Sequence, residues 1–380
     1  MKEKMSNLIR KDGFQTLLAS LVCILGGLLV GYVVLLVIEP SGAFGAITAV
    51  MKSFFRYPGA LKMKYFGQTL TRTVPLLMCA LSVLFAYKVG MFNIGVAGQY
   101  VAGACVGLYA ALAWNMPWWV CLLCAMVAGA LLGAIAGALK TLCNVNVVIS
   151  GIMLNWIMLY LTNLLLGTVK SPTSPYTKGL QGTNPAALLP GLGLGKLFNN
   201  EKSVTIAIPL AIIMAVVVWV ILNKTKFGYA LKATGNSYYA AKYAGMKENR
   251  NIILTMMIAG GLAGMGAGLL YLTGIEEWET TIASVPAMGG NGIAVAFLGG
   301  LSPLGSILSA VFIQYITFGG GNVDLQVYCS QISSQISSLI ISLCAFVAFF
   351  KVFIQAQIRK RDEKKAAELA AGTQEGGEAK

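Results

Sequence analysis

Long apolar stretches dominate this sequence and decide what it can fold into. Between residues 16 and 352, apolar runs of roughly 20 residues alternate with short polar connections, and a helical run of that length spans the hydrocarbon core of a bilayer. Only 11% of the residues are charged and the mean hydropathy is +0.74, so the chain lacks the polar surface that a water-soluble domain requires. The sequence therefore predicts an integral membrane protein.

The predicted fold class is all-α, a polytopic transmembrane helical bundle. Backbone groups in lipid must bond within the structure, which leaves helices and closed barrels. Barrel strands would alternate apolar and polar residues, whereas these runs are continuous. We predict about ten membrane segments, some of them broken or re-entrant: 16–38, 67–88, 93–113, 117–140, 147–167, 204–223, 251–272, 286–300, 304–320 and 332–352.

The polar connections divide the chain into regions and indicate its orientation. Residues 224–250 carry six basic residues against the single acid Glu248, and basic loops favour the cytoplasmic side. The N-terminal residues 1–15 and the charged tail 353–380 are expected on that side too, with the tail largely disordered, and 16–352 form the membrane domain. Residues 39–66 and 168–203 are predicted to lie outside the cell as an interfacial segment and a loop.

Charge and cysteine content indicate no further chemistry. The net charge of +14 is spread between the apolar runs and at the two ends, as topology signals are, so we expect no nucleic-acid partner. The eight cysteines lie mostly inside apolar runs, and Cys121 and Cys124 are interpreted as small apolar residues of one helix. The chain contains no histidine, and we predict no metal site.

The ionisable residues bear on whether this membrane protein could be an ion-coupled carrier or an enzyme. None of the fourteen Asp and Glu residues falls in the middle of a predicted segment, and histidine is absent, so a proton-coupled carrier would have almost no side chains to use. Sodium coupling stays open, because carbonyl groups of broken helices can coordinate the ion. Without paired carboxylates at membrane depth, a membrane enzyme is disfavoured and no catalytic residue is predicted.

Neutral amides and two interrupted runs indicate a path for an uncharged polar solute. The runs are Gly90–Gln99 and Met288–Gly292, the latter followed by a turn at Leu298–Pro303, and irregular backbone in a membrane is tolerated where it lines a cavity. Each amide could equally bond to a neighbouring helix. The predicted pathway residues are Asn93, Gln99, Asn155, Trp156, Gly290 and Asn291.

Glycines recur every four residues in two predicted segments, as Gly129, Gly133 and Gly137 and as Gly260, Gly264 and Gly268. Such ridges allow helix backbones to approach closely in lipid. They are not interpreted as a nucleotide fingerprint, because no strand precedes them and no GxxxxGK[ST] loop occurs in the sequence. The chain is therefore not expected to bind ATP by itself.

Several motifs carry a resemblance to a known family. FNIG with GQ at 92–99, MLN at 153–155 and the segment FGYALKATGN with AAKYAG at 227–245 resemble, in order and spacing, the signatures of ABC-type simple-sugar and nucleoside permeases. LGGLS at 298–302 is similar to their late glycine turn. The agreement covers residues 65–350 and is closer to the nucleoside branch of this branched-chain amino acid/ribose-type permease superfamily than to the ribose branch.

The resemblance implies a multi-pass subunit of a bacterial cell-membrane importer for a nucleoside or simple sugar. In that family two permease chains pair, two cytoplasmic ATPase subunits bind ATP and magnesium, and an extracellular lipoprotein delivers the solute, so no cofactor is expected in this chain. It also implies that 224–250 docks on the ATPase. The coupling residues would be Gly235, Asn236, Ala240, Ala241, Tyr243 and Gly245.

Two departures from the family pattern set limits on the resemblance. Ala97 stands where the family usually has an acid in FNIG-x-E-GQ, and the acid often found before the MLN helix is absent around Asn146. These losses favour a heterodimer with a related chain over a homodimer. The alternative function is a stand-alone, ion-coupled carrier of a neutral polar solute.

Overall fold

The chain folds into a bundle of helices in a computed structural model that describes residues 12–323, 327–344, 346–347, 350 and 352–357. We number the principal helices α1 Asp12–Ile38, α2 Pro40–Lys52, α3 Gly59–Tyr87, α4 Val96–Leu112, α5 Trp118–Leu142, α6 Val147–Leu166, α7 Ala207–Lys224, α8 Lys226–Asn236, α9 Tyr238–Tyr243, α10 Glu248–Tyr271, α11 Ala287–Leu298, α12 Pro303–Gly320 and α13 Ser330–Cys344. Single helical turns lie at Ser53–Arg56, Gly167–Val169, Leu180–Thr183, Pro185–Ala187 and Leu194–Phe198.

The predicted all-α membrane bundle is confirmed. Seven of the described helices are long and apolar enough to cross a bilayer, and three shorter apolar helices cover Val96–Leu112, Ala287–Leu298 and Gln335–Cys344. Together they coincide with the ten segments expected from the sequence. Over the described ranges, strand-like pairing is limited to two isolated bridges, between Lys170 and Thr177 and between Tyr176 and Glu279. Most of the predicted 353–380 tail lies outside the described residues.

The centre of the bundle is formed by α3 and α10. In their most apolar 18-residue stretches, α3 and α10 have 89% and 78% of the residues buried. The corresponding shares in α1 and α7 are only 22% and 28%, so these two helices expose apolar faces. At one end of α3, Phe66 contacts Phe198 of the 168–203 loop; just after its other end, Val89 contacts Gly235 of α8. The bundle therefore has two ends, called here the 168–203 end and the 224–250 end.

The two predicted glycine ridges pack directly against each other. A Cβ atom added to Gly129 would lie 2.3 Å from the carbonyl oxygen of Gly260, and one added to Gly264 would lie 3.0 Å from the Cα of Gly129. A Cβ at Gly133 would lie 2.0 Å from the carbonyl oxygen of Met256. Backbone thus meets backbone along α5 and α10, and the packing interpretation of these glycines is confirmed.

The predicted interfacial segment 39–66 contains a helix that the sequence analysis did not predict, and the predicted start of the next membrane segment is wrong. The structure forms α2 there, and α3 begins at Gly59 rather than at residue 67. Glu39 caps α2 by accepting from the backbone N–H of Ser41, and Pro40 occupies the first helical turn, where a missing N–H costs nothing. The sequence analysis did not predict this helix because the segment is of mixed polarity and the buried face of the helix consists only of alanines and a valine.

The predicted interruption at Met288–Gly292 is also wrong, since α11 is continuous from Ala287 to Leu298. Its glycines serve close packing instead. A Cβ at Gly289 would lie 2.5 Å from the Cβ of Ala97, and one at Gly292 would lie 2.7 Å from the Cβ of Cys79. The chain does break where the second motif predicts it, at Gly299–Ser302, with Gly300 at φ +65°.

Candidate functional site

The interruption predicted at Gly90–Gln99 is present over Lys88–Gly95, whereas Val96–Gln99 already belong to α4. After α3 ends at Tyr87, the chain turns back into the protein rather than leaving the bundle. Asn93 is fully buried and its amide Nδ2 donates to Ser82 Oγ at 3.2 Å, so the chain has returned to the level of Ser82 on α3. The break is therefore re-entrant.

A reciprocal pair of amides holds this break in place. Asn93 Nδ2 donates to Gln99 Oε1 at 2.8 Å, and Gln99 Nε2 donates back to Asn93 Oδ1 at 3.3 Å. Both side chains are essentially inaccessible to solvent. A buried amide without partners would cost free energy, so the two groups satisfy each other and fix the loop against the first turn of α4.

Asn155 connects α6 to the same break. Its Oδ1 accepts from the backbone N–H of Gly98 at 2.7 Å, and its Nδ2 donates to the carbonyl of Ile94 at 3.2 Å. Gly98 permits this approach, because a Cβ atom there would lie 2.7 Å from Asn155 Oδ1. In this conformation the predicted pathway amides Asn93, Gln99 and Asn155 bond to the chain itself, which is the second role the sequence left open for them.

The other three predicted pathway residues reach the surface of the bundle. Trp156 is 40% exposed and stacks on Tyr160, one turn further along α6, with ring centroids 6.2 Å apart and an interplanar angle of 25°. On α11, Gly290 has no neighbour within 4 Å of a built Cβ, and Asn291 is partly exposed. A Trp in the middle of a membrane helix is unusual, since Trp prefers the interfaces.

The exposed residues of α6 and α11 lie close to the start of α4. Gly289 of α11 packs on Ala97, and Asn155 of α6 packs on the next residue, Gly98. Ala97, the position at which the resemblance leads one to expect an acid, is 6% exposed and lies against Gly289. The structure therefore brings the amide-held break and the exposed aromatic and glycine faces together around the first turn of one helix.

The predicted coupling segment is two short helices at the 224–250 end. Asn236 and Ala240 are exposed, Tyr243 is 92% exposed, and Ala241 is buried and anchors α9. Gly245 has φ +75°, a conformation that favours glycine, and ends the segment before α10. Large exposed tyrosines beside small exposed residues are typical of a surface that binds a partner.

Gly235 joins this segment to the re-entrant break. A Cβ at Gly235 would lie 2.5 Å from the carbonyl carbon of Val89 and 2.8 Å from the amide nitrogen of Gly90. Gly90, with φ +76°, faces the carbonyl oxygen of Gly235 in turn. Sequence reasoning identified both glycines but not their contact, because no pattern along the chain links the two positions.

Hydrogen bonds fix the segment to α10. Asn251 Nδ2 donates to Thr234 Oγ1 at 2.8 Å, and the Tyr238 hydroxyl donates to Glu248 Oε1 at 3.3 Å. Desolvation and the Glu248 carboxylate raise the pKa of Tyr238, so its hydroxyl stays protonated and remains a donor. The predicted coupling segment is thus held on two sides, by the break and by the first turn of α10.

An ion pair at the 168–203 end was missed by the sequence reasoning. Arg72 of α3 pairs with Glu276 at 3.2 Å, and Trp278 nearby donates from Nε1 to Asn163 Oδ1 on α6 at 2.9 Å. The signal was present, because Arg72 falls inside an apolar run and the connection after α10 carries several glutamates. These contacts bind the connection after α10 to α3 and α6.

Comparison with known proteins gives a family match over most of the chain. A family model described as branched-chain amino acid transport system / permease component matches residues 65–349. The guanosine ABC transporter permease protein NupP of Bacillus subtilis is 32% identical over 82% of this chain and 87% of its own length. The nucleoside ABC transporter permease protein NupB of Lactococcus lactis is 32% identical over 83% and 85%.

A glucose ABC transporter permease protein of Haloferax volcanii, TsgB13, is 29% identical over 68% of this chain and 70% of its own length. Bacillus subtilis and Lactococcus lactis each have a second nucleoside-type permease that matches at lower identity, 28% and 26%, over 65% and 64% of this chain. No solved structure matches the chain. The re-entrant break, the exposed helical segment beside it and the family match agree: the chain belongs to the branched-chain amino acid transport system permease family and is the membrane-spanning permease subunit of an ABC importer.

Proposed function

We propose that this permease imports nucleosides and is driven by ATP hydrolysis on a separate ATPase subunit that docks on residues 224–250. The observation that carries the proposal is the contact between Gly235 and the Val89–Gly90 backbone. It joins an exposed helical surface to the re-entrant break through backbone atoms alone. A displacement of α8 would therefore move the break, and with it the first turn of α4.

The predicted coupling residues and their exposed neighbours divide into docking and positioning groups. Tyr239 and Tyr243 are 73% and 92% exposed, and with Asn236 and Ala240 they form the proposed contact surface for the ATPase. Gly235, Ala241 and Gly245 position that surface. ATP and magnesium would be bound by the docked subunit.

The nucleoside assignment is supported by the two relatives at 32% identity and by the chemistry of the exposed surface. Trp156 and Tyr160 present stacked rings on which a nucleobase can stack, and Asn291 offers an amide for hydrogen bonding. Gly290 leaves space beside them. In this proposal Asn93, Gln99 and Asn155 maintain the shape of the path, while Trp156, Gly290 and Asn291 face the solute.

The proposed complex contains a second permease chain, preferably a related one, and an extracellular binding lipoprotein. Support for the pair comes from the occurrence of two matching permeases in each of two bacteria. The basic 224–250 end would then lie in the cytoplasm, together with both termini of the chain. The 168–203 end would receive the solute from the lipoprotein.

Reconstitution tests this proposal. We expect proteoliposomes that contain the chain, a second permease, the ATPase and the lipoprotein to accumulate radiolabelled nucleosides only when ATP is present on the ATPase side. Omission of the ATPase should abolish accumulation. Uptake of pentoses or glucose in place of nucleosides would contradict the assigned substrate. Uphill transport by the isolated chain in a sodium gradient would contradict the assigned energy source and support the stand-alone carrier.

A further inference from the structure

A cleft of about 380 Å³ lies at the 168–203 end of the bundle. One of its two walls is outside the part of the chain that the family model matches. One wall is α2, which precedes residue 65, and the other is formed by Asn322, Val327 and Tyr328 beyond α12. Gly42 packs on the second wall, because a Cβ there would lie 2.4 Å from Val327 Cγ1. Neither the break nor the coupling segment contributes to it.

Two basic side chains lie at one end of this cleft. Lys52 is the last residue of α2 and Arg56 lies one turn further on, and both are exposed. Over the described ranges, neither has a carboxylate within ion-pair distance. Arg56 donates only to the carbonyl of Asn322, at 3.1 Å, which leaves most of its guanidinium N–H groups available. The acid at the N-cap of α2, Glu39, lies about 20 Å away at the opposite end of the helix.

Small and apolar residues form most of the remaining lining of the cleft. Gly45 has nothing within 4 Å of a built Cβ, and Ala46 and Ala49 form the floor. Beside it, Phe44 and Met51 expose 71% and 49% of their surface. In a membrane subunit, apolar side chains exposed to this degree face lipid or a partner's apolar surface rather than water.

Aromatic residues mark the depth of the two cations. The Tyr57 and Tyr65 rings pack in a tilted arrangement with centroids 4.3 Å apart, and Lys62 Nζ lies 4.4 Å from the centre of the Phe55 ring. A belt of aromatic and basic side chains is typical of the headgroup level of a bilayer. Lys52 and Arg56 therefore lie at the level of lipid phosphates, and Gly45 opens a groove for a chain of methylene groups.

We propose that this cleft binds one anionic phospholipid. The phosphate accepts hydrogen bonds from Arg56 and an ammonium contact from Lys52, and an acyl chain lies in the groove along Gly45. A free phosphate would use the cations but not the groove. An acidic surface of a soluble partner would have to displace the lipid that Phe44 and Met51 face, so the apolar surroundings favour the lipid.

Lipid retention by the full-length chain tests the proposal. The chain is extracted from nanodiscs that contain phosphatidylcholine and phosphatidylglycerol, and native mass spectrometry counts the retained lipids. We expect wild type to retain phosphatidylglycerol selectively. The double variant Lys52→Gln with Arg56→Gln should lose this selectivity by about 30-fold, since each basic residue near an anionic lipid contributes on the order of 1 kcal/mol and about 1.4 kcal/mol is a factor of ten. Gly45→Leu should also lose it, without any change in charge.

The matched control is Lys196→Gln with Lys202→Gln, which removes the same charge from the same end but lies outside the cleft. It should retain the lipid as wild type does. A charge-preserving Lys52→Arg variant keeps the test valid if the glutamine variants fold poorly. Equal loss in the control, or retention by the Lys52/Arg56 variant, would overturn the proposal. So would binding that inorganic phosphate abolishes and Gly45→Leu leaves intact.

Discussion

At the scale of single residues, amides and glycines have complementary tasks in this permease. Asn155 bonds to the backbone of the re-entrant break, and Gly98 makes room for it. Gly235 and Gly90 bring two backbones into contact at the 224–250 end. The sequence located each of these residues, because glycines and amides inside apolar runs are conspicuous. It did not predict their partners, because the partner of each depends on how the helices fold together.

The Gly235 contact leads to a direct prediction. Gly235→Ala would place a methyl group 2.5 Å from the Val89 carbonyl carbon, so α8 must move away from the break. We expect normal membrane insertion, retained ATP hydrolysis by the assembled complex, and nucleoside uptake reduced about tenfold or more, measured on the same proteoliposomes.

The control for this substitution is Gly182→Ala, because nothing lies within 4 Å of a Cβ at Gly182 and the residue sits at the opposite end of the bundle. It should transport as wild type does. Unchanged uptake by Gly235→Ala would show that the contact transmits nothing.

At the scale of helices, packing in this protein depends on how closely the backbones approach. α5 and α10 meet along two glycine ridges, and this pairing could be predicted, since a period of four places all the glycines of a ridge on one face. The continuity of α11 could not be predicted. Gly289 and Gly292 resemble helix breakers in sequence, and only their contacts with Ala97 and Cys79 make them packing residues. α2 was missed because its polar cap and terminal lysine hide a short apolar face.

A matched pair of glycine substitutions tests the ridge. Gly133→Ala adds a Cβ that would lie 2.0 Å from the Met256 carbonyl oxygen, whereas Gly26→Ala on α1 adds one into open space. Overpacking typically costs about 1–3 kcal/mol, so we expect Gly133→Ala to lower the thermal unfolding temperature of the purified chain. Gly26→Ala should leave it unchanged or raise it slightly. Equal unfolding temperatures for the two variants would contradict the packing role of the ridge.

At the scale of the whole molecule, the chain leaves a membrane-depth surface uncovered. Trp156 and Tyr160 of α6 and Gly290 of α11 are exposed around the first turn of α4. In the proposed dimer this surface faces the second permease across the path. The order of the ten membrane segments followed from the apolar runs of the sequence, whereas the exposure of this surface emerges only from the folded bundle.

Co-purification tests whether that second chain is a related permease. The chain is expressed in two differently tagged copies, together with the ATPase and a second family member from the same genome. We expect one tag to recover the second permease and the ATPase but not the other tagged copy. Recovery of both tagged copies in one complex, active in uptake without the related chain, would identify a homodimer.

The Gly90–Gly235 contact has a further consequence for how the importer can evolve. Side chains at an interface can change rotamer to accommodate a substitution in a neighbour, but two backbones in direct contact cannot adjust in this way. Any larger residue at one position would demand a compensating retreat of the main chain at the other. In the proposed complex, substitutions in the segment that docks on the ATPase and in the re-entrant break must therefore be compatible with each other.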